Sequence, residues 1–258
     1  MSENLLTLLE KDFLLFFLIF LRILFLFFLF PFFTANFFPT KIKILMALIF
    51  ALVLTPLFIG KFRTPSSFLE LFFFILSDFF LIFTMVLFFR ILLGGLQLGG
   101  ELVGIQMGFG ISQTFDPLGG VSMPILSQFL YLIFLLLFFS FNIHHYLIYF
   151  LVKSFYVIPP GTFIFKKGIF EILIKKSGLL FEIALKILAP LLVFMLLINI
   201  VLAVIGRLIP QINILFVSFP LTLGLGLLFF GIMLFFIPKL FKIYFEDFSK
   251  FLAILLKV

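Results

Sequence analysis

The feature that most limits the fold of this chain is a series of apolar segments as long as a bilayer is thick. They lie at residues 13–38, 44–59, 68–93, 122–152, 179–205 and 217–238. A helix needs about 20 apolar residues to cross the hydrocarbon core, and most of these segments are long enough. None shows the two-residue alternation of membrane strands. The pattern predicts an all-α integral membrane protein built of helical hairpins with about six long apolar segments, of which 44–59 is short enough to be half a hairpin.

Composition supports this class. Hydrophobic residues make up 65% of the 258 residues and charged residues 11%, against about 45–50% and about 25% in soluble domains. Phenylalanine accounts for 48 residues, which we interpret as bulky filling of helix interfaces and lipid-facing surface. The sequence has no cysteine, which excludes disulfides, thiolate metal sites and cysteine nucleophiles. The net charge of +7 does not indicate nucleic acid, because the basic residues lie beside apolar segments, where they contact phospholipid.

The ends and loops give expectations about topology. The apolar stretch from Phe13 to Phe38 is longer than the core of a cleavable signal, so we expect an uncleaved signal-anchor. If all six segments cross the membrane, most loop lysines and arginines fall on one side, which predicts that both termini are cytoplasmic. The tail from Lys239 mixes lysines and acids at helical spacing, as in an amphipathic surface helix. Composition shifts near residue 178, where a basic loop region gives way to a hairpin of two apolar segments.

Residues 94–120 are the most informative segment, with nine of the 17 glycines and no lysine or arginine. Gly100, Gly104 and Gly108 recur every four residues, which places them on one helix face and allows another backbone to approach closely. Ordinary tight helix packing explains that spacing as well as a special role does. Gln106 and Glu101 are candidate functional polar residues here. An intramembrane acid suggests function, such as proton coupling, whereas Glu101 in a water-filled assembly would simply be solvated.

The stretch 109–120 cannot be a regular helix throughout, because Asp-Pro and Gly-Gly are turn signals. Irregular backbone between apolar helices persists only inside protein or against water. We therefore predict a constriction or plug in this stretch. The predicted gate residues are Phe109, Gly110, Ile111, Ser112, Gln113, Thr114, Phe115, Asp116 and Pro117.

A set of short motifs extends along the chain in a fixed order. The central ones are GGELVGIQMG at 99–108, FDP at 115–117 and MPIL at 123–126. The others are FLR at 20–22, P-x-K-x-K at 39–43, F-N-x-H at 141–144, I-P-x-G at 158–161, R-x-x-P-Q at 207–211 and FPLTL at 219–223. Together they resemble the FliR family, the flagellar branch of an export-apparatus family shared with virulence secretion systems, and they are closer to its flagellar members.

The resemblance implies a non-enzymatic subunit of the flagellar type III protein-export gate, in the bacterial inner membrane at the flagellar basal body. It implies assembly with FliP and FliQ into a pore-containing complex, association with FlhB, and passage of unfolded flagellar proteins, with no cofactor. Residues 1–178 would be FliP-like and contain the plug, and residues 179–258 would be a FliQ-like hairpin with the tail. In such an assembly many apolar helices pack on sister subunits above the membrane plane, so six membrane crossings are not required.

Two other classes were weighed. A small-molecule or ion transporter needs buried charges around a cavity, and the sequence offers Arg22, Asp78, Arg90, Glu101 and Lys186. An intramembrane enzyme has weaker support. Adjacent residues on a helix point about 100° apart, so the pair His144-His145 is poorly placed to chelate one metal, and neither HExxH nor GxSxG is present.

The tip of the C-terminal hairpin is a further candidate site. It contains Arg207, Pro210 and Gln211. The resemblance implies a contact with FlhB or a neighbouring hairpin there. A turn whose arginine anchors to lipid headgroups explains these residues equally well.

Overall fold

The computed structural model describes residues 2–34, 38–109, 124–164, 167–211 and 213–256. Every regular element in these ranges is an α-helix, which confirms the predicted all-α class. In chain order the helices are α1 (Ser2–Leu29), α2 (Pro31–Thr34), α3 (Thr40–Phe58), α4 (Phe68–Gln106), α5 (Ile125–Ser140), α6 (Ile143–Val157), α7 (Lys167–Ser177), α8 (Leu179–Leu208), α9 (Ile214–Met233) and α10 (Ile237–Leu255).

The helices are long and apolar enough for a membrane protein. In the described residues, five apolar stretches could each cross a bilayer: most of α1, all of α3 and α4, the later part of α8, and most of α9. The bent pair α5 and α6 would make a sixth if it counts as one span. The expectation of about six long apolar segments is therefore confirmed.

Three boundaries differ from those drawn by hydropathy. Helix α4 continues through the first glycines to Gln106, because neighbouring helices pack directly on those glycines. The predicted single segment 122–152 is broken after Ser140 into α5 and α6. Asn142 has a φ of 57° at this break, a left-handed conformation that asparagine tolerates better than most residues. Helix α7 lies where the sequence indicated a basic loop.

The chain forms two compact units that alternate along the sequence. The first unit consists of residues 1–90, 143–174 and 248–258, and the second of residues 91–142 and 175–247. Helices α4, α7 and α10 each contribute residues to both. The division at residue 178, which rests on the shift in composition and on resemblance to two other proteins, stays a prediction.

The first unit is organised around α1 and α3, which pack along each other. Helix α3 buries Ala47, Ala51, Leu54 and Phe58 at helical spacing, and its two alanines allow a close approach. The opposite face of α3 is apolar and exposed. It includes Leu45, Leu48, Ile49, Leu52 and Val53.

The second unit contains the hairpin of α8 and α9, which pack against each other. The rings of Phe194 and Phe229 stack across the hairpin with their centroids 3.6 Å apart. At the tip, a Cβ on Gly206 would lie 1.7 Å from Cδ1 of Ile214, so a side chain at position 206 would displace Ile214. The glycine thereby keeps the turn between the two helices tight.

Candidate functional site

The glycine-rich part of α4 packs backbone against backbone in the second unit. A Cβ at Gly95 would lie 2.7 Å from the carbonyl oxygen of Leu180 in α8, and one at Gly99 would lie 3.2 Å from that of Ala184. A Cβ at Gly100 would lie 2.9 Å from Cα of Ser127 in α5. The distances at Gly95 and Gly100 are shorter than real Cβ contacts, and the one at Gly99 is tighter than most of them, so α4 touches α8 and α5 this closely because the side chains are missing.

Gly104 is less constrained than Gly100. A Cβ there would lie 3.8 Å from Cδ1 of Leu126, which is an ordinary van der Waals distance. The start of α5 is fastened to α4 by one more contact, since the hydroxyl of Ser127 donates a hydrogen bond of 2.8 Å to the carbonyl oxygen of Gln97. The spacing of the glycines predicted this face, but it did not predict which position has room for a methyl group.

Gly108 lies past the last helical residue and ends α4. Its φ is +94°, its N–H bonds the carbonyl of Ile105 at 3.1 Å, and the N–H of Phe109 bonds that of Gly104 at 2.9 Å. This is the Schellman arrangement, in which a left-handed glycine satisfies the last carbonyls of a helix. A Cβ on Gly108 would also lie 3.3 Å from the ring of Phe219 in α9.

Met107 and α9 hold this helix end in place. The side chain of Met107 is fully buried, and a Cβ at Gly226 of α9 would lie 2.7 Å from it. The hydroxyl of Thr222 donates a hydrogen bond of 2.9 Å to the carbonyl oxygen of Ser218 in its own helix, and the hydroxyl oxygen lies 3.4 Å from the carbonyl oxygen of Met107. The FPLTL motif at 219–223 thus lies against the end of the glycine-rich motif, a contact between distant segments that their spacing did not reveal.

Most of the predicted gate lies outside the described residues. Gly110, Ile111, Ser112, Gln113, Thr114, Phe115, Asp116 and Pro117 fall in the range 110–123, and Phe109 is the last described residue before it. The described residues on either side are Phe109, just after the end of α4, and Pro124, just before α5. These two helices contact each other at Gly104 and Leu126. The chain therefore enters and leaves this range from one packed pair of helices.

Of the two candidate polar residues of this segment, Glu101 is exposed and Gln106 is half-buried. The side-chain oxygen of Gln106 is buried and has no hydrogen-bond partner among the described residues. Gln106 is the last residue of α4, immediately before the turn at Gly108.

A separate polar cluster lies in the core of the first unit, around Arg22 of α1. The side chains of Arg22 and Asp78 are 0% and 1% exposed, and Nη2 of Arg22 lies 2.6 Å from Oδ1 of Asp78. Nη1 donates hydrogen bonds of 3.2 Å to the hydroxyl of Ser154 and 3.0 Å to the carbonyl oxygen of Ile158. The guanidinium carbon also lies 4.4 Å from the ring centroid of Phe155. Arg22 and Asp78, two of the charges that the sequence offers for a transporter, therefore form a buried ion pair.

The turn after α6 completes this cluster. The N–H of Gly161 points at Oδ1 of Asp78 from 3.5 Å. Gly161 has a φ of +81°, and a Cβ there would lie 2.3 Å from Cδ1 of Phe74, so the turn requires glycine. The motifs at 20–22 and 158–161 thus meet at one buried ion pair. Sequence reasoning missed Ser154 and the turn, because nothing local marks them as partners of an arginine far away in the chain.

The remaining charges weighed for a transporter are exposed. Arg90 donates hydrogen bonds of 3.3 and 2.8 Å to the carbonyl oxygen of Leu29, where a cation complements the end of α1. Lys186 pairs with Glu182 one turn away at 2.7 Å. The hydrogen bond and charge of Glu182 raise the pKa of Lys186 above its usual value.

The histidine pair and the hairpin tip show no reactive arrangement. The rings of His144 and His145 lie with their centroids 4.1 Å apart. Within the part of the chain that the structure describes, no group of three His, Asp or Glu side chains could hold a metal ion. Arg207, Pro210 and Gln211 are all exposed at the end of α8 and in the turn before α9.

Comparison with known proteins agrees with the motifs. Residues 13–248 match the model of the family described as bacterial export proteins, family 1. The flagellar biosynthetic protein FliR of Pectobacterium carotovorum subsp. carotovorum is 30% identical over 238 residues, covering 92% of this chain and 91% of the relative. The protein of the same name from Aquifex aeolicus (strain VF5) is 32% identical over 250 residues, 93% of each chain. FliR of Escherichia coli (strain K12) is 36% identical over 128 residues, about half of each chain. The motif-based resemblance is thereby confirmed, and the chain belongs to the FliR family of bacterial export proteins.

Proposed function

We propose that this FliR-family chain is a non-enzymatic subunit of the flagellar type III export gate, in the bacterial inner membrane at the flagellar basal body. In this role it forms part of the pore through which unfolded flagellar proteins pass. The observation that carries the proposal is the end of α4, where a close-packed helix pair flanks the range 110–123. A closure built there would be held at both ends by rigid elements.

The proposed mechanism is mechanical. Gly108 ends α4 with a defined turn, and Ser127 fastens the start of α5 to the backbone of α4. By sequence, the stretch between them contains Gly110, which would ease backbone motion, and Phe115, whose ring would seal the path by contact. Movement of this stretch on arrival of substrate would open the path without unpacking the helices that flank it.

The partners we propose are FliP and FliQ, with FlhB at the cytoplasmic side. Support comes from apolar faces that are exposed in the single chain and that need lipid or protein against them. One lies on α3, and a second on α8 comprises Leu196, Leu197, Ile200, Val201 and Val204. We propose residues 1–178 as the FliP-like part and 179–258 as the FliQ-like part. The exposed hairpin tip is proposed as a contact for FlhB or a neighbouring hairpin.

The transporter alternative has less support. It calls for buried charges that a substrate can engage. Of the charges weighed, Arg22 and Asp78 are buried, and each neutralises the other at 2.6 Å. Arg90, Glu101 and Lys186 are exposed in this chain.

The test of the proposal is purification of the full chain after co-expression with FliP and FliQ from the same genome, followed by native mass spectrometry. We expect one discrete hetero-oligomer that contains this chain. A stable monomer that excludes both partners would reject the gate assignment and favour the transporter.

The plug is tested on the assembled complex. Deletion of residues 111–115 should leave assembly intact and make the membrane permeable to small ions, because the proposed plug is removed. Ion flux into vesicles that contain the complex is the measurement. A second variant of unchanged length replaces Ile111 and Phe115 with serine. It keeps the chain connection and removes the proposed apolar seal, so it should also make the vesicles permeable. Vesicles as tight as wild type with both variants would place the closure elsewhere.

A further inference from the structure

A groove in the first unit belongs neither to the glycine-rich site nor to the Arg22 cluster. It encloses about 380 Å³ between α6 and the end of α10. Helix α6 contributes four residues, and the end of α10 with the residue after it contributes four more, each set at positions i, i+3, i+4 and i+7, the spacing of one helix face. These residues are Tyr146, Tyr149, Phe150 and Lys153 on α6, and Ser249, Leu252, Ala253 and Leu256 at the end of the chain.

The groove has an apolar floor and a polar rim. Phe150, Leu252 and Leu256 are buried and form the floor. At the rim, Tyr146 and Tyr149 are 54% and 61% exposed. The ammonium of exposed Lys153 lies 5.3 Å from the ring centroid of Tyr149. A ligand that fits this site therefore has an apolar part beside a polar, hydrogen-bonding part.

The charge of the lining residues favours an anion. The residues that line the groove include no aspartate or glutamate, and Lys153 is their one lysine. Glu246 and Asp247 lie earlier on α10 and do not line the groove. An anionic group at the rim would meet a cation and tyrosine hydroxyls without a carboxylate among the lining residues. Helix α6 also contains Tyr156, and tyrosines concentrate where a membrane protein meets the headgroup region.

We propose that this groove binds one anionic phospholipid. Its phosphate lies at the ammonium of Lys153 and the hydroxyls of Tyr146 and Tyr149, and the first part of one acyl chain covers the floor. A free phosphate would leave the floor exposed to water. A zwitterionic lipid would bring a cation to a rim that already holds one. The site distinguishes lipids by headgroup charge, and it retains them by burial of the chain.

The first experiment titrates the full chain in detergent with phosphatidylglycerol or phosphatidylcholine and counts bound lipids by native mass spectrometry. We expect one phosphatidylglycerol to be retained in preference to phosphatidylcholine. Lys153→Gln should weaken that binding about fivefold, the effect of removing one cation near an anionic lipid. The matched control is Lys250→Gln, because Lys250 is exposed near the groove and does not line it. Equal binding of the two lipids, or equal losses in the two variants, would overturn the proposal.

A second pair of variants tests the apolar floor. Ala253 lines the groove and is exposed, so Ala253→Phe should fill the groove without disturbing the core. Phosphatidylglycerol retention should then fall at least about tenfold, because the acyl chain loses an apolar contact area of about one aromatic ring. Ile254→Phe places the same ring on the exposed neighbour and should leave binding unchanged. Displacement of phosphatidylglycerol by glycerol phosphate alone would reduce the site to an anion site. Cross-linking of position 253 to another protein in the assembled complex, with phosphatidylglycerol absent, would assign the groove to a protein partner instead.

Discussion

The two compact units hold their helices together by opposite means. The first unit places charge in its core, where Arg22, Asp78 and Ser154 link three helices through side chains. The second unit has glycines at its helix contacts, so that the backbone of α4 touches the neighbouring helices at Gly95 and Gly100. One arrangement depends on directional bonds and the other on shape.

The difference shows how a chain rich in leucine and phenylalanine specifies its packing. Lipid is as apolar as these side chains, so it supplies little drive for one helix to choose another. The choice rests on the few residues that are not apolar. In a buried ion pair each charge strongly prefers the other, and removal of one charge is costly. A glycine contact weakens gradually as larger side chains replace the glycine.

The largest effect should follow from breaking the ion pair on one side. Asp78→Ala leaves the guanidinium of Arg22 buried without its counter-charge, which costs about 3–5 kcal/mol for a fully buried pair. The free energy of unfolding, measured by denaturant titration of the detergent-solubilised chain, should fall by that amount.

The control for that variant removes both charges. The double substitution Arg22→Met with Asp78→Leu replaces the pair by apolar side chains, and it should stay within about 2 kcal/mol of wild type. If Asp78→Ala lowers the free energy of unfolding no more than the double substitution does, Arg22 must find another partner or reach water. The ion pair would then not be the main interaction that holds the first unit together.

A smaller effect is expected at the glycines, where two positions on the same helix give a matched comparison. Gly100→Ala puts a methyl group 2.9 Å from the backbone of Ser127, and such overpacking costs about 1–3 kcal/mol. Gly104→Ala meets Leu126 at 3.8 Å, so the better helix propensity of alanine should leave stability within about 1 kcal/mol of wild type. Thermal unfolding in detergent measures both, and equal midpoints would remove the case for shape-based packing.

Sequence reasoning predicted what depends on local composition. The all-α class and the long segments follow from runs of apolar residues, and Arg22 stands out as a charge inside one such run. Its environment could not be predicted, because the side chains of Ser154 and Asp78 come from other helices. The break at Asn142 was also missed, since both halves are apolar and hydropathy alone joins them.

The glycine-rich segment shows the same limit at closer range. Spacing placed Gly100, Gly104 and Gly108 on one face, but the two hydrogen bonds that close a Schellman turn put Gly108 beyond the helix. Tight packing at Gly95 and Gly99 depends on α8, which lies far along the chain. The gate assigned to Gly110 through Pro117 stays a prediction.

The smallest expected difference compares one serine from each unit. Ser127 is 2% exposed and donates to the neutral carbonyl of Gln97, so Ser127→Ala should cost about 0.5–1.5 kcal/mol. Ser154 is fully buried and accepts from the charged Arg22, so Ser154→Ala should cost about 1.5–3 kcal/mol. Both free energies come from the denaturant titration used for the ion pair, and the gap of about 1 kcal/mol is the quantity of interest. Equal losses would show that Ile158 alone satisfies this side of the guanidinium. The polar cluster of the first unit would then stabilise the packing through the Arg22–Asp78 ion pair without a contribution from Ser154. It would link two helices at one point, as a single glycine contact does in the second unit.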